Sequence, residues 1–277
     1  MKVAVIQMVS SASVQTNVSQ ARDLLSQAAT AGAELAVLPE YFCLMGQQDS
    51  DKLAIAEPFG QGSLQRFLSE TARELGLWLV GGTIPLSTVA TGATAAADRV
   101  FNSSLAFSPS GACVARYDKI HLFRFDNGTE RYDESCVLQA GSQPTTFDLE
   151  SIDGHCWRVG LSVCYDLRFA ELYRRYASAG AHLLLVPSAF TYTTGQAHWE
   201  VLLRARAIEN LAFVAAAAQG GLHDNQRHTW GHAMLIGPWG QVLGQCEQLA
   251  GVVLADLDFD EMTACRSRLP ALEHRVL

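Results

Sequence analysis

A chain of 277 residues, with 49% hydrophobic and 17% charged side chains, can bury roughly three quarters of its unfolded surface, so no disulfide or metal staple is required. Its formal charge of −8, with no basic stretch, argues against a nucleic-acid partner. No apolar run approaches the ~18 residues that span a bilayer.

The first element, "KVAVIQM" (2–8), reads as a buried strand; its apolar run is shorter than the ~7–15 residues of a signal-peptide core. Residues 14–31 read as a helix stopped by Gly32, and "LAVLPE" (35–40) as a strand ended by Pro39. A helix over about 62–75 stops at Gly76, and "LWLVGGT" (77–83) follows as a strand. The segment 86–98 is small and polar and reads as a mobile loop. Residues 99–119 form a hairpin turned at Ser108-Pro109-Ser110-Gly111.

The second half repeats this order. "WRVGLSVC" (157–164) reads as a strand, 169–180 as a helix, 181–190 as a strand and 197–211 as a helix. Strands over 212–219, 231–244 (turned at "GPWG") and 251–258 close the series. Both halves run strand, helix, strand ending in proline (Pro39, Pro187). With no linker or low-complexity tract, the expectation is one α/β domain over 1–277, internally pseudo-duplicated, with two stacked sheets and helices outside. Seven cysteines, an odd number without a C-x-x-C pair, fit reduced thiols and a soluble cytoplasmic protein.

Three strand ends carry chemistry. Cys164 closes an apolar strand just before a helix near Arg168, a turn that exposes a nucleophile and sets backbone N–H donors beside it. The general run of buried cysteines is inert, so the turn alone decides little. Glu40 follows "AVLP" and reads either as a solvated loop carboxylate or as a base aimed into a strand-end cleft. Lys119, in "RYDKIHLF", leaves a hairpin into a segment too apolar for a free loop. A thiol, a carboxylate and an ammonium are the parts of nucleophile, proton shuttle and oxyanion clamp, although spacing does not bring them together.

"LAVLPEYF", "RYDKIHLF" and "GLSVCYDLRFAELYR" resemble the three signatures of the nitrilase (carbon–nitrogen hydrolase) superfamily. "PSAFTYTTGQAHWEVLLRARAIEN", "VAAAAQGG", "WGHAMLIGPWGQVL" and "LPALEHR" extend the resemblance to the C-terminus. It implies a four-layer α-β-β-α sandwich and a C-terminal tail, about 259–277, at a homodimer interface together with helix 169–180. It also implies that Cys164 attacks an amide, Glu40 shuttles the proton, and Lys119 with the Tyr165 backbone N–H holds the oxyanion, through a thioester intermediate. A second glutamate is expected beyond the lysine, at Glu134 in "RYDES", with Glu130 as its rival.

Substrate contacts are expected from Tyr41 and Phe123 as apolar walls and from Thr193 and Thr194 on a strand-end loop. Arg168 reads either as a grip on a substrate carboxylate or as an internal partner of Asp166 that shapes the turn, the second being favoured. His198 reads as structural. No metal and no cofactor are expected: the eight histidines lack paired ligand spacing, and no P-loop or G-x-G-x-x-G occurs. The segment "TGQAHWEVLLRARAIE" narrows the resemblance to the branch holding ω-amidase and the deaminated-glutathione amidases, and Gln219 with His223 in "AAAAQGGLHDN" favours the latter. That branch implies hydrolysis of an α-keto γ-glutamyl amide to 2-oxoglutarate and cysteinylglycine. ω-Amidase action on 2-oxoglutaramate, or hydrolysis of another small amide or an N-carbamoyl amine, is the alternative. An inactive dimeric interaction protein would have lost one of the three key residues, and all three are present.

Overall fold

The computed structural model describes residues 1–88 and 98–276. Its helices are α1 (Val14–Thr30), α2 (Asp51–Ala54), α3 (Ser63–Leu75), α4 (Ala170–Ser178), α5 (Tyr192–Asn210) and α6 (Phe259–Arg268). At the centre of a ten-stranded sheet, Lys2–Met8 runs parallel to Leu35–Val37, which in turn runs parallel to Trp78–Val80. Gly251–Asp256 pairs antiparallel along the other edge of Lys2–Met8. A six-stranded sheet repeats the parallel trio with Cys156–Leu161, Leu183–Leu185 and Phe213–Ala216.

Alternation along the strands builds the layers. Val3 and Val5 point with Leu35, Val37 and Val80 into the core between the sheets, against Trp157, Val159 and Leu183. Ala4, Ile6 and Met8 point the other way and pack on Leu25 of α1 and Leu68 of α3. Leu172 and Tyr173 of α4 and Leu203 of α5 cover the second sheet. The result is the expected four-layer α-β-β-α sandwich, with the duplication visible as two parallel trios. Ala217 is the crossing point: Phe213–Ala216 lies in the second sheet and Ala218–Leu222 in the first.

Some expectations shift. α5 begins at Tyr192, five residues before the expected 197, because the Thr191 hydroxyl accepts from the Thr194 N–H and caps the helix. "TYTTG" is therefore the capped first turn of a helix, not a strand-end loop. The strands expected over 35–40 and 181–190 keep ladder pairing only at Leu35–Val37 and Leu183–Leu185. Strands at Ile84–Ser87, Arg124–Asp126, Arg131–Asp133 and Thr145–Glu150 went unread in the sequence. The expected tail at 259–277 opens with α6, whose Phe259 packs edge-on against Trp157. Of the expected mobile loop 86–98, positions 89–97 lie outside the described residues. No helix among the described residues is long and apolar enough to cross a membrane.

Candidate active site

Glu40 and Cys164 each stand three residues beyond a parallel strand, Leu35–Val37 and Cys156–Leu161, at the carboxyl edge where open α/β sheets bind ligands. The chain around Glu40 is tightly folded. Gly82, at φ +53°, leaves room that a side chain would fill, since a Cβ there would lie 2.0 Å from the Pro39 carbonyl oxygen. Tyr41 itself adopts φ +56°.

Lys119 is buried between two carboxylates. Its Nζ lies 3.0 Å from Glu40 Oε1 and 2.9 Å from Glu134 Oε1. Asn102 Nδ2 donates to Glu40 Oε1 at 2.9 Å, and the Ala189 N–H donates to Oε2 at 2.9 Å. Glu134 is fixed by the Tyr41 hydroxyl at 2.9 Å and the Phe123 N–H at 2.7 Å. Burial alone would lower the Lys119 pKa, but Glu134 and Glu40 reverse this and hold it well above the ordinary lysine value. The two carboxylates therefore favour the charged form of Lys119. Glu130, the rival, lies instead on an exposed turn and accepts from Thr193 Oγ1 at 3.1 Å.

Cys164 occupies a strained turn at φ +49°, opening a 3₁₀ segment, Cys164–Arg168. A non-glycine residue there costs about 1–3 kcal/mol, which the surrounding hydrogen bonds must hold in place. The Cys164 N–H donates to Pro187 O, and the Asp166 N–H donates to Val163 O. The Tyr165 N–H between them has no acceptor among the described residues and is the free donor of the turn. Burial first, then the Glu40 carboxylate, push the Cys164 thiol well above its ordinary pKa, with Lys119 opposing them. The resting group is thus a thiol next to a base.

A narrow cleft opens at Cys164 and is lined by Phe123, Tyr165, Arg168, Ala189, Phe190 and Thr194, among others. Neither Tyr41 nor Thr193 lines it. Tyr41 is buried behind Glu134, and Thr193 faces outward from the first turn of α5. The favoured Arg168–Asp166 pair is absent. Asp166 turns inward and is fully buried, whereas the Arg168 guanidinium lies over the Tyr165 and Phe190 rings, at 5.7 and 5.5 Å, and meets His198 Nδ1 at 3.3 Å. Among the described residues no carboxylate pairs with Arg168.

Gln219 and His223 do not line the cleft; they are buried behind Glu40. Gln219 Nε2 donates to the Glu40 carbonyl at 3.2 Å, and His223 Nδ1 meets Ser10 O at 2.9 Å. Sequence reasoning missed Asn102 and the Ala189 N–H, because neither belongs to a motif with chemistry of its own. Among the described residues no three His, Cys, Asp or Glu side chains gather as a metal-binding group.

The geometry agrees with what the chain is similar to. Residues 2–267 match the family model described as carbon-nitrogen hydrolase. The chain belongs to the carbon–nitrogen hydrolase family. A deaminated glutathione amidase from Synechocystis sp. is 36% identical over 275 residues, covering 99% of this chain and 97% of that relative. Human omega-amidase NIT2 is also 36% identical, over 276 residues, covering 99% of this chain and 94% of that relative. The C. elegans NitFhit protein superposes with a TM-score of 0.88 at 35% identity, covering 99% of this chain and 65% of that longer one. Family membership makes this chain a hydrolase of carbon–nitrogen bonds.

Proposed function

We propose that the chain is a cysteine amidase that cleaves the amide of deaminated glutathione, giving 2-oxoglutarate and cysteinylglycine. The observation that carries this is the Lys119 ammonium clamped by Glu40 and Glu134 close to a buried thiol on a strained turn. Glu40 takes the thiol proton as Cys164 Sγ attacks the amide carbon. Lys119 Nζ and the Tyr165 N–H stabilise the oxyanion of the tetrahedral intermediate. Glu40 returns the proton to the leaving amine, the C–N bond breaks, and a thioester remains. Glu40 then deprotonates a water that attacks the thioester, and the thiol leaves with the proton restored. Glu134 orients Lys119 and receives the substrate amide.

Arg168 supports the α-keto acid part of the reading. It is an unpaired, half-buried cation on the wall of the cleft that holds Cys164, with aromatic rings beneath it. A charge-assisted bond to a substrate carboxylate is worth about 1.5–3 kcal/mol. Arg168→Met should therefore raise KM for α-keto acid amides by about 10–100-fold and leave a neutral small amide nearly unaffected. Equal KM changes for both substrates would remove the carboxylate role.

2-Oxoglutaramate hydrolysis is the second reading, favoured by the 36% identity to an omega-amidase and served by the same residues. Purified protein given deaminated glutathione, 2-oxoglutaramate and an N-carbamoyl amine in parallel separates them by kcat/KM. Faster release from 2-oxoglutaramate would transfer the substrate assignment; no release from any of the three would favour a binding role. Seven free cysteines suit the reducing cytosol.

The functional unit in this reading is a homodimer, formed through α4 and the tail with the adjoining face of α5, where Val201 and Ile208 stand exposed at 69% and 48%. Light scattering should report about twice the chain mass, and Val201→Glu with Ile208→Glu should reduce it to the monomer. A wild-type monomer at micromolar concentration would reject the assembly.

A further inference from the structure

Two residues beyond the nucleophile, Asp166 is a fully buried carboxylate that the chemistry above does not use. Its oxygens receive four bonds from two separate segments. Oδ2 accepts from the Val163 N–H at 2.8 Å, just before Cys164, and from the Tyr117 hydroxyl at 2.7 Å, two residues before Lys119. Oδ1 accepts from the His121 N–H at 3.0 Å, two residues after Lys119, and meets the His121 ring Nδ1 at 2.7 Å. The His121 ring in turn stacks on Phe169 at 3.7 Å, closing the loop onto the start of α4.

We propose that Asp166 is a positioning residue that clasps the Lys119 segment to the Cys164 turn. Each oxyanion donor comes from one of these segments: the ammonium from one, the Tyr165 N–H from the other. They are linked through 45 residues of intervening chain, and the turn is strained at Cys164. A carboxylate bridging both flanks of the lysine to the residue before the nucleophile fixes their separation. Four acceptor contacts use the full capacity of an ionised carboxylate, which no neutral side chain of this shape reproduces.

The inference rests on the proposed roles of Cys164 and Lys119, so its test includes a readout that needs no amide substrate. Alkylation of Cys164 by iodoacetamide, followed across pH by peptide mass spectrometry, reports how closely Lys119 supports the thiolate. In Asp166→Asn the profile should move to higher pH, by about half a unit or more, because the lysine drifts from the sulfur. Tyr117→Phe removes one of the three lysine-side bonds, keeps the charge, and should shift the profile the same way by less; it keeps the test open if Asp166→Asn does not fold.

The direction discriminates. Loss of a negative charge alone, or loosening of the turn with exposure of the thiol, would move the profile to lower pH. On an amide that the wild type turns over, Asp166→Asn should lower kcat about 10–100-fold with KM within about threefold, and adding Tyr117→Phe should cost little more. A folded variant whose alkylation profile is unmoved or shifted downward overturns the clasp, as does an unchanged kcat. Wild-type inactivity on every amide would defeat the proposed function while alkylation still decides the clasp.

Discussion

Cys164→Ala should abolish amide turnover, by about 10⁴-fold or more, and leave the fold intact. The size follows from the proposed chemistry, in which Glu40 and Lys119 act on bonds that the thiol makes and breaks, so removing the thiol strands both. The fold should survive because the turn does not depend on the sulfur. The turn is held by backbone, through Cys164 N–H to Pro187 O and Asp166 N–H to Val163 O, and alanine keeps those bonds. Alanine at φ +49° bears the same strain as cysteine, so the thermal midpoint should move little. Product release by chromatography, with circular dichroism as the fold control, checks this. Turnover within tenfold of wild type would mean that another group attacks the amide.

The fold was legible where the chain carries a clear apolar pattern. The short apolar run in "KVAVIQM" and the helical spacing over 14–31 each produced the element observed, Lys2–Met8 and Val14–Thr30. Short central strands were over-extended, because apolar residues continue past the ladder into the buried loops that carry Glu40 and Ala189. The start of α5 was hidden because Thr191 caps it and Thr193, Thr194 and Gly195 are poor helix formers. Cys164, Glu40 and Lys119 stood out by local setting and by family resemblance, yet convergence is a property of the two-sheet topology that no single motif holds. Arg168 shows the limit in another way. Proximity in sequence favoured a pair with Asp166, but a tight 3₁₀ turn sends residues two apart to different sides, one into the core and one to the cleft.

Glu40→Gln should separate two effects that usually travel together. Turnover should fall by about 10²–10⁴-fold, since a carboxamide cannot take the thiol proton or the proton of the attacking water. The thiol, however, should become easier to ionise. The Glu40 charge is one of the groups that raise the Cys164 pKa, and Lys119, which lowers it, stays in place. Removing a neighbouring negative charge stabilises the thiolate, so the alkylation profile of Cys164 should move to lower pH while hydrolysis is lost. Stability should drop modestly. Glu40 Oε1 serves Lys119 and Asn102 and Oε2 serves the Ala189 N–H, so glutamine keeps the two donors at Oε1 only by turning its NH₂ toward Ala189. One buried donor is then unsatisfied, at a cost of about 1–3 kcal/mol. A variant that hydrolyses amide normally would remove Glu40 as the base. A variant with lost turnover but an unmoved alkylation profile would detach the carboxylate from the sulfur and leave it acting on the substrate side alone.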